Sequence, residues 1–169
     1  MIPSQFFARC VKIERSIGKL YEHWSEETSY SEGRRRMWKK LSEDEEGHAL
    51  EIEMASRLSL KNESLSVAIP LDSLNQLCTE IEAQLAGVLQ STLSDDEALK
   101  LAVELEARTA SVHACNALHF TSGPLKKMFN AMGTYNEHHL APLIKAYQDV
   151  FNYFPDSLRH LDPAKCSTS

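Results

Sequence analysis

No stretch of this chain approaches the roughly 18 consecutive apolar residues of a membrane span. The opening MIPSQFFARC lacks both the basic flank and the apolar length of a signal peptide. The four cysteines, Cys10, Cys78, Cys115 and Cys166, form no CxxC pair and have no zinc-ribbon spacing, so reduced thiols in a cytoplasmic protein are expected. Basic charge is short too. Eighteen Lys+Arg against 24 Asp+Glu leave a formal charge of −6, with no basic tail or stripe for nonspecific nucleic-acid binding. The one basic cluster, RRRMWKK at 34–40, stands beside acidic residues where a helix begins and reads as a solvated helix end.

Segments with the alternating pattern of a strand are also missing. What is present is helical periodicity, in a chain of 169 residues with 43% apolar content, enough for one domain with a sizeable core. The first helix is expected over roughly 4–25, with Phe7, Cys10, Val11, Ile17 and Tyr21 on one face. SYSEGR supplies turn chemistry, with Ser31 as N-cap of a second helix reaching about Leu58. Residues 59–70 read as a connection. After Pro70 a third helix carries the stripe Leu71, Leu74, Leu77, Cys78, Ile81, Leu85 and Val88. A capping box, Ser94 to Glu97, opens a fourth helix ending near Leu118. TSGP at 121–124 breaks the chain with Pro124 at a first helical position, and a last long helix runs to about Tyr147. The tail from Pro155 is expected to be loose or short-helical. The expected fold is all-α, an antiparallel four-helix bundle over 1–155 with a long crossover connection carrying a short extra helix, and 156–169 as a C-terminal tail.

Polar residues interrupt the apolar stripes. In SEDEEGHALEI the inner face reads Trp38, Leu41, Glu45, His48, Ala49, Ile52 and Ala55, while Glu43, Asp44 and Glu46 point elsewhere. Glu14 is centred on the first helix. Glu106 is centred among Leu99, Ala102, Val103, Ala110 and His113, with Glu104 opposite. On the last helix Asn136 and His139 lie between Leu125, Phe129, Met132, Leu140 and Leu143, whereas Glu137 and His138 turn off that face. An isolated buried carboxylate costs several kcal/mol unless it is paired or binds a metal. Lys and Arg occupy none of these face centres, whereas two divalent cations would neutralise three carboxylates, with histidines adding nitrogen donors. A Glu and a His at i and i+3 face one metal from one helix. The layout also repeats. Glu45 follows Glu14 by 31 residues and Asn136 follows Glu106 by 30, each with a His three residues later; Tyr21 and His113 stand seven residues after Glu14 and Glu106.

IERSIGKLY around Glu14, EEGH at 45–48, LAVELEARTASVH around Glu106 and FNAMGTYNEHH around His139 together resemble the rubrerythrin-like branch of the ferritin-like di-iron carboxylate superfamily. The likeness spans about residues 7–147. It implies Glu14, Glu45, His48, Glu106 and His139 as metal ligands, with Asn136 as a weaker one and Tyr21 and His113 as supporting groups behind the ligands. It implies iron, with manganese or zinc also compatible with the donor set. The implied activity is that of a di-iron redox protein, a possible peroxidase or oxidoreductase, reacting with peroxide or dioxygen. Ferrous iron oxidation and handling, or a non-catalytic bundle with a degenerate site, are the alternatives. Asn136 stands where the family has a ligating glutamate, which weakens the second metal, and Thr109 where rubrerythrins have an extra one. Without CxxC pairs there is no rubredoxin domain, so a separate electron donor is expected, along with a homodimer and neither nucleic-acid nor membrane partners. Taken singly, each candidate has a plainer account: His113 or His139 as a hydrogen-bonded core histidine, Tyr21 as a core ring bonded to a buried carboxylate. A radical or proton-relay role for Tyr21 is the rarer case.

Overall fold

The computed structural model describes residues 3–59, 69–117, 122–132 and 140–161, and these contain helices and no strand. The helices are α1 (Pro3–Glu26), α2 (Glu32–Ser59), α3 (Leu71–Val88), α4 (Asp95–Ala117), α5 (Gly123–Met132) and α6 (Leu140–Phe151), followed by a 3₁₀ helix (Asp156–Leu161).

Local chemistry sets most boundaries. Ser31 Oγ accepts from the Arg34 N–H at 3.2 Å, capping α2. Ser94 and Glu97 close a reciprocal box at the start of α4: the Ser94 N–H donates to Glu97 Oε2 at 2.9 Å, and the Glu97 N–H to Ser94 Oγ at 3.3 Å. Pro70, with φ −57°, precedes α3. α5 begins one residue before Pro124, the Lys126 N–H reaching back to the Ser122 carbonyl at 2.9 Å. α6 runs past the expected Tyr147 to Phe151, because Val150 and Phe151 still pack on the core. It ends at Asn152, whose φ of 61° is the left-handed conformation of a helix C-terminus. α3 covers the whole expected stripe from Leu71 to Val88. Leu158, in what was expected as tail, is fully buried, so the packed body extends beyond residue 155.

α1 is the central element. It lies antiparallel along α2, packs on α3 and meets α4, which in turn packs on α5, α6 and the 3₁₀ helix. The expected apolar faces are the buried ones, including Trp38, Leu41, Ala49, Ile52 and Ala55 on α2 and Leu99, Ala102, Val103 and Ala110 on α4. The connection between α1 and α2 is tied to the segment before α4 by the Tyr30 hydroxyl, which donates to the Leu93 carbonyl at 2.8 Å, and the first turn of α2 is tied to the first residue of α4 by the Arg34–Asp95 ion pair at 2.9 Å. Arg36 and Lys40 pair along their own helix with Glu32 and Asp44, as a solvated helix end does. Along α1 the core is layered. Phe6 and Phe7 meet Phe129 at its N-terminal end, and Tyr21 and Trp24 meet Trp38 near its C-terminal end. Between them lies a polar layer.

Candidate metal centre

Glu14, halfway along α1, is 2% exposed; Glu45 on α2 is 2% exposed and Glu106 on α4 is 5%. Helical phase puts them there: each sits at the centre of an apolar stripe, so burying the stripe buries the carboxylate. The cationic side chains pair elsewhere, Lys12 with Glu82, Arg15 with Glu46 and Glu53, and Arg108 with Glu80. Imidazoles and a phenol stand against the buried carboxylates Glu14, Glu45 and Glu106.

His48 Nδ1 lies 3.4 Å from Glu14 Oε2 and 3.4 Å from Glu45 Oε2. One ligand atom from each of the three residues lies within 4.8 Å of the others. At 3.4 Å the imidazole contacts are long for hydrogen bonds. They suit a shared cation: donors held about 2.1 Å from one ion stand roughly 3.0 to 3.4 Å apart, depending on octahedral or tetrahedral angles. Hard carboxylate oxygens with a borderline imidazole nitrogen fit iron, manganese or zinc. The His48 side chain is 19% exposed and forms the edge of the cluster nearest solvent.

Two cross-links between α1 and α4 hold the carboxylates in place. His113 Nε2 lies 2.9 Å from Glu14 Oε1, and the Tyr21 hydroxyl donates to Glu106 Oε1 at 2.7 Å. Residues 14 and 21 thus face 113 and 106, the rungs of an antiparallel pair two turns apart. Both oxygens of Glu14 are engaged, one toward each histidine. Burial alone would raise the Glu14 carboxyl, but the charge and hydrogen bond of His113, with help from His48 and Glu45, hold it well below the usual carboxylate range. Burial drives the Tyr21 phenol well above its ordinary value, and the charges of Glu106, Glu45 and Glu14 push it further. Burial raises the Cys10 thiol in the same way, with Glu14 and Cys78 adding to it. Cys10 and Cys78 are free thiols, buried and with raised ionisation, the marks of inert structural cysteines.

No family model, no curated protein and no solved structure matches the chain. The site is therefore described by its own geometry. That geometry brings together Glu14, Glu45 and His48, adds Glu106 through Tyr21, and puts His113 behind Glu14. Asn136 and His139 lie outside the described residues. Thr109 turns its buried hydroxyl to the Leu105 and Glu106 carbonyls, both at 3.2 Å, and so serves its own helix backbone.

One contributor escaped the pattern reading. At Gly18 a Cβ would stand 3.2 Å from the Glu45 Cβ and 3.5 Å from the Ser42 carbonyl oxygen. Its hydrogen side chain lets α2 approach α1 where Glu45 must reach Glu14. The signal was a glycine one turn after a central glutamate inside a strong helical pattern, where glycine costs about 1 kcal/mol against alanine. None of the helices among the described residues is long and apolar enough to cross a membrane.

Proposed function

We propose that this chain is a ferritin-like helical bundle that binds iron at Glu14, Glu45, His48 and Glu106 and uses it in redox chemistry with peroxide or dioxygen. The observation that carries the reading is His48 Nδ1 at 3.4 Å from each of two nearly fully buried carboxylates. Such a cluster is costly as a metal-free core and favourable around a cation. In this reading α1 with α2, and α4 with α5 and α6, are the paired arms, and α3 belongs to the crossover.

Bound iron supplies the reducing electrons and the open coordination positions for an oxygen species. The chain's own residues do the rest. His113 fixes the Glu14 carboxylate from behind, and Tyr21 fixes Glu106. The aromatic layers above and below keep water from the flanks of the polar layer, and His48 stands at its solvent-facing edge. Electrons come from a separate donor. A bundle with a degenerate site is the second reading, favoured by Asn136 and Thr109, which stand where anionic ligands belong in the family this chain resembles.

Iron stoichiometry per chain after anaerobic ferrous reconstitution tests the proposal, with Glu45→Ala as control. Two irons, lost in the control, are expected. One iron places the second position beyond the reach of Asn136. None sinks the redox reading and leaves a helical bundle with a hydrogen-bonded polar core.

A further inference from the structure

Leu50, Met54, Leu89 and Tyr153 are the large apolar side chains exposed among the described residues. Two of them, Leu50 at 53% and Met54 at 60%, stand one turn apart on α2. At about 100° per residue Met54 lies half a turn round the helix from Glu45, and Glu43, Gly47 and Leu50 lie within about 40° of Met54. This face is turned away from α1, whose Arg15 pairs with Glu46 and Glu53 on the flank of α2. Met54 also lines a groove of about 280 Å³ with Pro124, Leu125 and Met128, which carries the apolar surface on to α5.

The rest of the face is unexplained by packing within the chain. Gly47 sits in the middle of a 28-residue helix, where glycine is disfavoured against alanine. A Cβ there would meet nothing within 4 Å, so Gly47, unlike Gly18, makes room for no neighbour in its own chain. Glu43 is exposed and has no ion pair among the described residues. Arg57, its side chain 82% exposed, reaches Glu53 only at 3.9 Å.

We propose that this face binds a second copy of the chain, α2 antiparallel to α2, with the two-fold axis at Leu50. Glu43 and Arg57 each lie seven residues from Leu50, on opposite sides of it. Antiparallel copies therefore set each Glu43 beside the partner's Arg57 and close two ion pairs across the interface. Parallel copies would set glutamate against glutamate and arginine against arginine, so charge selects the antiparallel pairing. Gly47 lies three residues before the axis and Met54 four residues after it. Each Met54 thus settles over the bare backbone at the partner's Gly47, and Leu50 packs against its own copy at the axis. Glu45 projects from the opposite side of α2, so the pairing needs no metal and does not rest on the redox reading.

Sedimentation velocity of the full metal-free chain over a range of protein concentrations tests this. The wild type is expected to sediment as a reversible dimer, and Leu50→Glu as a monomer. Glu43→Arg sets arginine against arginine, and Arg57→Glu sets glutamate against glutamate. Each alone raises the dissociation constant by about tenfold or more. Mixing these two variants in equal amounts restores the dimer, because one copy then carries arginine at both positions and the other carries glutamate at both. A folding defect is not repaired by such mixing. Gly47→Leu improves the helix and crowds nothing in its own chain, yet weakens the dimer. A wild type that stays monomeric at every concentration overturns the proposal and leaves the face to a different partner. Undiminished dimer affinity in both charge variants overturns it as well, and so does a mixture no more associated than its parts.

Discussion

Glu14 shows how a single buried side chain is held in its charged form. Burial pushes its proton affinity up, His113 pushes it down, and His113 prevails. The sign for stability follows. A carboxyl whose folded pKa is depressed contributes stability above its unfolded value, about 4.3, and loses that contribution as pH falls toward the folded value. His113→Leu removes the opposing charge and hydrogen bond while filling similar space, so burial becomes the dominant influence and the carboxyl shifts upward. At pH 7 the variant keeps a poorly paired buried charge and should be less stable by about 3 kcal/mol. As pH falls the variant carboxyl protonates and recovers, while the wild type begins to lose its advantage below the unfolded value, so the gap narrows. Urea unfolding of both metal-free proteins between pH 4 and pH 8 measures this. A gap that stays constant with pH would show His113 to be packing alone.

The α1–α2 pair shows what helical patterning can and cannot carry at the level of elements. Stripe phase identified Glu14, Glu45, Glu106 and His113 as inward-facing, and all four are buried, because burial follows from phase once a helix forms. Cap chemistry located the starts of α2 and α4, since those signals are local hydrogen bonds. Interhelical distance leaves no such local mark: the role of Gly18 exists only where α2 passes over it, and the stacking of Tyr21 on Trp38 joins residues 17 apart on two helices. The start and length of α3 were legible from Pro70 and the stripe Leu71–Val88, whereas the extension of α6 to Phe151 was missed because apolar residues near a helix end extend the helix only when a partner surface is present. Gly18→Ala isolates the spacing effect. Alanine gains about 1 kcal/mol of helix propensity, but its methyl stands 3.2 Å from the Glu45 Cβ, an atom fixed to the α2 backbone. Crowding of this kind costs about 1–3 kcal/mol, so the net change in unfolding free energy should be destabilising by about 1 kcal/mol. Metal affinity should fall more steeply, since α2 carries both Glu45 and His48. Calorimetric titration with ferrous iron checks this, and unchanged affinity would mean that the approach of α2 at Gly18 does not govern the site.

At the scale of the whole molecule the polar layer sets two demands against each other. Three buried carboxylates, Glu14, Glu45 and Glu106, lie in the middle of a core made of leucine, isoleucine and aromatic rings, and without a cation they repel one another. A fold kept only for packing gains by losing one of them, whereas a fold kept for binding gains only when the cation is present. Glu45→Gln separates the two. It retains size and hydrogen-bonding capacity while removing one charge, so the metal-free variant should be more stable than the metal-free wild type by about 1 kcal/mol, the scale of one like-charge contact at an effective dielectric near 20 relaxed by solvent. A cation at a hundred times its dissociation constant adds about 2.7 kcal/mol to whichever chain binds it, which for a chain of this length raises Tm by roughly 5–10 °C. The order of the two proteins should therefore invert: the variant melts higher without metal, the wild type melts higher with it, and a chelator restores the first order. Melting curves of both proteins with and without ferrous iron under anaerobic conditions record the crossing. Parallel shifts in both proteins would assign the metal effect to surface acids, and the buried carboxylates would then be a stability cost with no bound cation to offset it.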